Sequence, residues 1–222
     1  MVLPILYSLR NCPYAIRARL AIYASGQQVQ LRDIVLSNKP ADMLRASPKG
    51  TVPVLLTTDD VVIDQSLAIM RWAFCQSDPN DYLNKAQPMA VDKMLAVIAL
   101  FDNEFKGYLE KYRSSKRYHE PSLVDDRRQC ERYLTDLEQR LSLHRYLMSD
   151  KPSLVDLALM PYIRQFARVE RQWYLQSPYP RLRQWLDGYL QSRMFSKVMA
   201  QHPLWQDNAK VVIFGSDDSR DR

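Results

Sequence analysis

Cysteine is scarce in this sequence: Cys12, Cys75 and Cys130 are the only three in 222 residues, an odd number with no two at metal-ligand spacing. That excludes the disulfide framework of small secreted domains and leads us to expect reduced thiols in a reducing compartment, hence a cytoplasmic protein. Long apolar runs are absent too. Charged residues interrupt every hydrophobic segment well short of the roughly 18 to 20 residues a membrane span requires. The opening MVLPILYSLRNCP has neither a basic n-region nor a small-residue cleavage site. A soluble, unexported protein with no membrane role is therefore expected. Histidine is equally sparse, and His119, His144 and His202 are far apart without helical partners, so no metal is expected. Internal repeats, low-complexity tracts, zinc knuckles and RNP-like aromatic motifs are all missing.

What is present begins with charge. A net +6 could serve nucleic acid, an acidic surface or a small anionic ligand. In EKYRSSKRYHEPSLVDDRRQCER, however, basic and acidic residues are interleaved, which is the pattern of a solvated helical face. No nucleic-acid partner is expected, and an anionic small molecule fits better. With 46% hydrophobic residues, the chain can build one fairly large domain or two modest ones.

The hydrophobic periodicity differs between the two halves. Up to about residue 77, short runs alternate: LPILYS reads as a buried strand, and Ile16, Leu20, Tyr23 and Ala24 then recur at helical spacing up to Gly26. QVQLRDIVL alternates as a strand, KPADMLRAS is a short helix opened by Pro40, TVPVLLT and VVID form two strands, and SLAIMRWAFCQ resumes a helix. The order βαβαββα, with a parallel crossover followed by a hairpin, is thioredoxin-like. Pro53 interrupts an apolar strand, which either an edge position or a cis turn through Thr51, Val52 and Pro53 would accommodate. After a linker at 78–88, residues 89–222 read as an all-helical domain. Val91, Leu95, Ile98, Phe101, Phe105, Tyr108 and Tyr112 form one stripe, and Cys130, Leu134, Leu137 and Leu141 another. Ser153 and Asp156 have capping-box spacing, and two shorter helices precede a polar tail.

Cys12 stands where the first strand gives way to a helix, followed by Pro13. Unpaired N–H groups at a helix start favour a thiolate, and Arg10 and Arg17 add positive potential. Position 15 is alanine, so C-x-x-C chemistry is excluded and any redox step needs an external thiol. A free cysteine is more often a small buried hydrophobe; that reading suits Cys75 and Cys130, each on an apolar stripe, whereas the setting of Cys12 favours chemistry. Tyr7 and Ser8 could donate to a nearby anionic sulfur but also read as strand-end packing. In DQSLAIM, Ser66 and neighbouring N–H groups could hold a carboxylate, or Asp64 or Ser66 could be a plain N-cap.

Together, YSLRNCPYAIRARL, NKP, GTVPVL and DQSLAI resemble the cytosolic glutathione S-transferases, in particular the omega class and the bacterial cysteine-type enzymes. The resemblance is close over the first third of the chain and extends to SLVD in the helical half. It implies an N-terminal thioredoxin-like domain, an all-helical C-terminal domain, a homodimer and glutathione as co-substrate. Cys12 would form a mixed disulfide with glutathione, Lys39 would meet its glycine carboxylate, and Val52 would pair with its cysteinyl backbone. Pro53 would be cis, Gln65 and Ser66 would hold the γ-glutamyl end, and Tyr14 would wall the site. The family usually has glutamate where this chain has Gln65, a loss that Asp64 or a partner subunit's acid could offset. Tyr108, Tyr112 and Trp173 are candidate walls of a site for an electrophile. The implied activity is thiol transfer on small mixed disulfides or dehydroascorbate. Conjugation of glutathione to electrophiles and a non-catalytic interaction module are the alternatives.

Overall fold

The computed structural model describes residues 2–87, 89–205 and 210–215. The chain divides into two compact units, Met1–Asn80 with Arg193–Arg222, and Asp81–Ser192. The hydrophobic pattern places residues 193 onward with the helical half, but in the structure they cluster with the first unit.

That first unit is built on a mixed sheet. Strand β1 (Ile5–Ser8) leads into helix α1 (Pro13–Ser25), then β2 (Val29–Asp33), α2 (Ala41–Ala46), β3 (Val54–Leu56), β4 (Val62–Ile63) and α3 (Ser66–Gln76), which is the expected βαβαββα order. β1 pairs in parallel with β2 and antiparallel with β3, and β3 continues antiparallel to β4. The alternation of β1 sorts its side chains by face. Ile5 and Tyr7 pack with Met43 of α2, Ile34 and Val54, while Ser8 meets α1 on the opposite face. Gly26 ends α1 in the left-handed conformation at φ 70°, returning its N–H to the Tyr23 carbonyl.

A fifth strand was not apparent from the sequence. Residues read as part of a polar tail form β5 (Val212–Phe214), antiparallel to β2, giving the order β4-β3-β1-β2-β5. The remainder of that tail lies outside the described residues. A three-residue strand carries too little periodicity to register, and β5 exists because β2 offers an unpaired edge.

In the second unit, α4 (Ala90–Leu100) and α5 (Lys106–Tyr118) are joined through a π-helical stretch, Phe101–Phe105. The buried face runs through Met94, Ile98, Phe101, Phe105, Leu109 and Tyr112, whereas Val91, Leu95 and Tyr108, expected on the same stripe, are only half-buried. Then come α6 (Leu123–Leu143), α7 (Leu154–Ala167), α8 (Arg171–Gln176) and α9 (Pro180–Leu190), with α10 (Arg193–Val198) returning to pack on α1 of the first unit. Cys130, Leu134, Leu137 and Leu141 are buried along α6 as expected. The capping box at Ser153 and Asp156 opens α7. The segment read as a linker is anchored: Tyr82 and Leu83 are buried, and the Tyr82 carbonyl accepts from Leu154 N–H at 2.9 Å.

Candidate functional site

Cys12 occupies the N-cap of α1, with extended backbone (φ −73°, ψ 123°) and Pro13 in the first turn. Its N–H donates to the Leu9 carbonyl at 3.1 Å, and its carbonyl accepts from Ile16 N–H at 2.9 Å, so helical bonding starts at this residue. The side chain is half-buried. It rests against the cluster of Tyr7, Ile34, Met43, Val52 and Val54, with Sγ 3.9 Å from the Val52 carbonyl oxygen. The Val52–Pro53 peptide is cis. Two sequence-predicted positions 40 residues apart thus come into direct contact.

The other predicted residues belong to the same unit. Lys39 is half-buried, and its ammonium lies across Gly50, where a Cβ would come within 3.2 Å of Nζ; the φ of +62° at Gly50 likewise suits glycine. Gln65 is exposed at the N-cap of α3, and Ser66, the first residue of that helix, is buried. Tyr14 is half-buried in the first turn of α1. Asp64, considered as a substitute for the missing glutamate, is already engaged: its carboxylate accepts from Ser47 Oγ at 2.9 Å and faces Lys49 Nζ at 3.5 Å.

The cations near Cys12 are arranged differently from the expectation. Arg10 points to the surface and donates to Gln201 Oε1 at 3.2 Å. Arg17 and Arg19 of α1 are both buried, and Arg19, 1% exposed, reaches back to the loop, donating through Nη1 to Ser8 Oγ at 3.0 Å and through Nη2 to the Arg10 carbonyl at 2.5 Å. Burial lowers the Arg19 guanidinium to about 10, and the Asp33 charge partly offsets this. Asp33, at the end of β2, is 6% exposed. Burial raises its carboxyl above the usual range against the pull of Arg19 and His202. Sequence reasoning missed both residues. The available signal was two arginines, 17 and 19, inside the otherwise apolar PYAIRARLAIY, since a cation in such a helix must find a buried partner.

The C-terminal segment closes over this region of the unit. Trp205 N–H donates to the Asp33 carbonyl at 2.7 Å. The Arg32 guanidinium stacks on the Trp205 ring at 4.1 Å and donates to Tyr7 Oη at 2.6 Å. Tyr7 and Ser8 are therefore both fully buried acceptors of arginine hydrogen bonds, which is the packing role.

Cys75 departs from the expectation: it is exposed, because the buried face of α3 runs through Ile69, Met70, Ala73 and Phe74 and position 75 turns away from it. Cys130 is buried, and burial with the nearby Asp126 and Glu131 charges pushes its thiol up to about 12. Tyr108, Tyr112 and Trp173 lie in the second unit. There Tyr112 Oη donates to Glu170 at 2.9 Å, Trp173 lies 4.2 Å beneath the Arg127 guanidinium, and Tyr108 tilts against Tyr133. Among the described residues, no group of three or more His, Cys, Asp or Glu side chains could hold a metal, and no helix is long and apolar enough to cross a membrane.

Comparison with known proteins gives matches along most of the chain. Residues 6–81 match the family described as glutathione S-transferase, N-terminal domain, and residues 86–188 match glutathione S-transferase, C-terminal domain. Mouse glutathione S-transferase omega-1 is 27% identical over 97% of this chain and 88% of its own length. Among solved structures, a glutathione transferase family member from Pseudomonas fluorescens with two glutathione bound has a TM-score of 0.77 at 15% identity, covering 89% of this chain and 92% of that one. Glutathione transferase Omega 3C from Trametes versicolor has a TM-score of 0.76 at 16% identity, covering 90% of each chain.

Proposed function

Because the chain belongs to the glutathione S-transferase family and is similar to its omega class, we propose that it is a glutathione-dependent thiol transferase working through Cys12. The observation that carries this reading is the placement of Cys12: half-buried at the head of α1, in contact with the Val52 carbonyl beside the cis peptide. A sulfur held at a helix N-terminus feels the positive end of the helix dipole, which favours the thiolate needed for attack. Glutathione bound to the solved relative from Pseudomonas supports the ligand class.

Two exchange steps follow. The Cys12 thiolate attacks the glutathione sulfur of a small mixed disulfide, forming a Cys12–glutathione disulfide while the other thiolate leaves and takes up a proton. A second glutathione thiolate then attacks the glutathione sulfur of that adduct, forming oxidised glutathione and releasing Cys12. The net exchange converts the mixed disulfide and one free glutathione into the substrate thiol and oxidised glutathione, the substrate sulfur gaining the one electron that the second glutathione sulfur loses. In this scheme Lys39 offers the cation for the glycine carboxylate, Val52 its backbone, Ser66 and the α3 N-terminus the groups for the γ-glutamyl carboxylate, and Tyr14 a wall. The protein acts as a homodimer in the cytoplasm.

Incubation with oxidised glutathione, followed by peptide mass spectrometry, tests the reading. The engineered Cys75→Ser background removes the other accessible thiol. One glutathione adduct at Cys12, and loss of disulfide reduction in Cys12→Ser, are expected; full turnover in Cys12→Ser would refute the mechanism. One observation favours a second reading, a non-catalytic interaction module: Gln65 is neutral and Asp64 is already engaged by Ser47 and Lys49, leaving the γ-glutamyl ammonium without an evident counter-charge from this segment. Failure of a glutathione column to retain the protein would decide for that alternative.

A further inference from the structure

We propose that Arg19 is the positioning residue for Cys12: its guanidinium grips Ser8 Oγ and the Arg10 carbonyl, fixing the loop that leads to the thiol, and sets a positive charge near it. The inference rests on the reading of Cys12 as the reactive thiol. Within the loop from Leu9 to Cys12, the Cys12 N–H donates to the Leu9 carbonyl. The Arg10 peptide is tied from outside the loop. Its carbonyl accepts from Arg19 Nη2 on the second turn of α1. The other arm of the Arg19 fork reaches Ser8 Oγ at the end of β1, so one guanidinium ties strand, loop and helix together two residues before the sulfur.

A purely structural role accounts poorly for the chemistry of this cluster. Arg19 and Asp33 are both more than nine-tenths buried, yet Arg19 Nε and Asp33 Oδ1 have no hydrogen-bond partner among the described residues. A hydrophobic pair of the same volume would hold the elements together at lower cost, because buried charges with incomplete hydrogen bonding are expensive. What such a pair cannot supply is charge. Arg19 lies within electrostatic reach of Cys12, and its cation favours the thiolate over the thiol. Asp33, the neighbouring anion, partly opposes that field. The two residues therefore make opposite predictions, which a structural clamp does not.

The experiment measures alkylation of Cys12 by iodoacetamide in the Cys75→Ser background, quantified by peptide mass spectrometry at about pH 7 and about pH 9. Arg19→Met is expected to slow the reaction about tenfold at the lower pH and less than about threefold at the higher, which lies above the ordinary range of thiol ionisation. Arg19→Lys keeps the charge without the fork and should recover most of the neutral-pH rate. Asp33→Asn removes the opposing charge in a side chain of the same shape and should speed the neutral-pH reaction about threefold. Equal slowing of Arg19→Met at both pH values, no slowing at either, or slower alkylation in Asp33→Asn would overturn the proposal. If Arg19→Met does not fold, the sign of the Asp33→Asn effect decides. Alkylation needs no glutathione, so this result is separable from the thiol-transferase test: an Arg19-dependent thiol that forms no glutathione adduct would refute the function and leave the positioning role standing.

Discussion

Removal of the Asp156 carboxylate should be among the most damaging single changes in the helical unit. The side chain is fully buried at the start of α7 and accepts four hydrogen bonds. Oδ1 takes Leu147 N–H at 3.0 Å and Trp185 Nε1–H at 2.9 Å, while Oδ2 takes Ser153 N–H at 2.9 Å and Ser153 Oγ–H at 2.7 Å. One carboxylate therefore joins the loop before α7, the α7 cap and the Trp185 indole of α9. Hydrogen bonds to a charged acceptor contribute about 1.5 to 3 kcal/mol each before the carboxylate's own desolvation is set against them. Burial raises this carboxyl above its ordinary value, and the four donors pull it back down. Asp156→Ala leaves four donors facing a cavity, and the net loss should be about 3 to 5 kcal/mol. For a chain of this length that lowers Tm by roughly 10 to 15 °C. Ser153→Ala removes only the hydroxyl donor and should cost about 1 kcal/mol. Asp156→Asn should resemble the alanine variant, because its amide can present an acceptor to one pair of donors only. Urea unfolding followed by far-UV circular dichroism and by Trp fluorescence measures all three. A loss below about 1 kcal/mol for Asp156→Ala would show that the carboxylate's desolvation cancels its bonds, and the reasoning would fail.

The opposite legibility of Asp156 and Asp33 shows where sequence reasoning has purchase. Asp156 is part of a local code: a serine three residues before an acid, ahead of an apolar run, is meaningful within one helical turn. For the same reason Cys12, Pro13 and Gly26 located α1 correctly, and the short alternating runs gave the βαβαββα order. Asp33 acquires its role only when α1, the β1–α1 loop and a segment 170 residues downstream converge on it, and nothing in QLRD announces that. β5 and the C-terminal return to the sheet are non-local in the same sense. Cys75 and Cys130 show the limit of periodicity over a single turn: both were placed on apolar stripes, but an 11-residue helix tolerates a rotation that moves position 75 into solvent, while the longer α6 fixes position 130 with four neighbours on the same stripe. The Cys12–Val52 contact occupies middle ground. Its two halves were recognisable as motifs, but their meeting depends on the sheet.

Thiol titration should separate the three cysteines: in the native protein Cys75 and Cys12 react, whereas Cys130, raised to about 12 by burial, reacts only after urea is added. Reaction of all three without denaturant would contradict the burial of α6. Gly215→Ala should undock β5, since a Cβ there would lie 1.7 Å from the Gln27 carbonyl oxygen and φ is +112°. The expected local cost is about 1 to 3 kcal/mol, read as faster proteolysis of the C-terminal segment, and an unchanged cleavage rate would refute it. Acidification should loosen the same segment through His202. Burial lowers its pKa below the ordinary histidine value, with Arg19 acting in the same direction and Asp33 against it. The unfolded histidine therefore takes up a proton first, so the stabilising contribution is complete above about pH 6.5 and is lost as pH falls toward the folded value. Asp33 has the opposite sign: its raised carboxyl favours the folded state once protonated, so its proton uptake works against the histidine effect, and the comparison with His202→Asn isolates the histidine part. Tm should thus decline on the first acidification step below about pH 6.5 in the parent protein and decline less in His202→Asn, whose side chain does not titrate. Identical declines in the two would show that His202 is not the group that senses the pH, and the charge that loosens the C-terminal segment would have to be sought elsewhere in the unit.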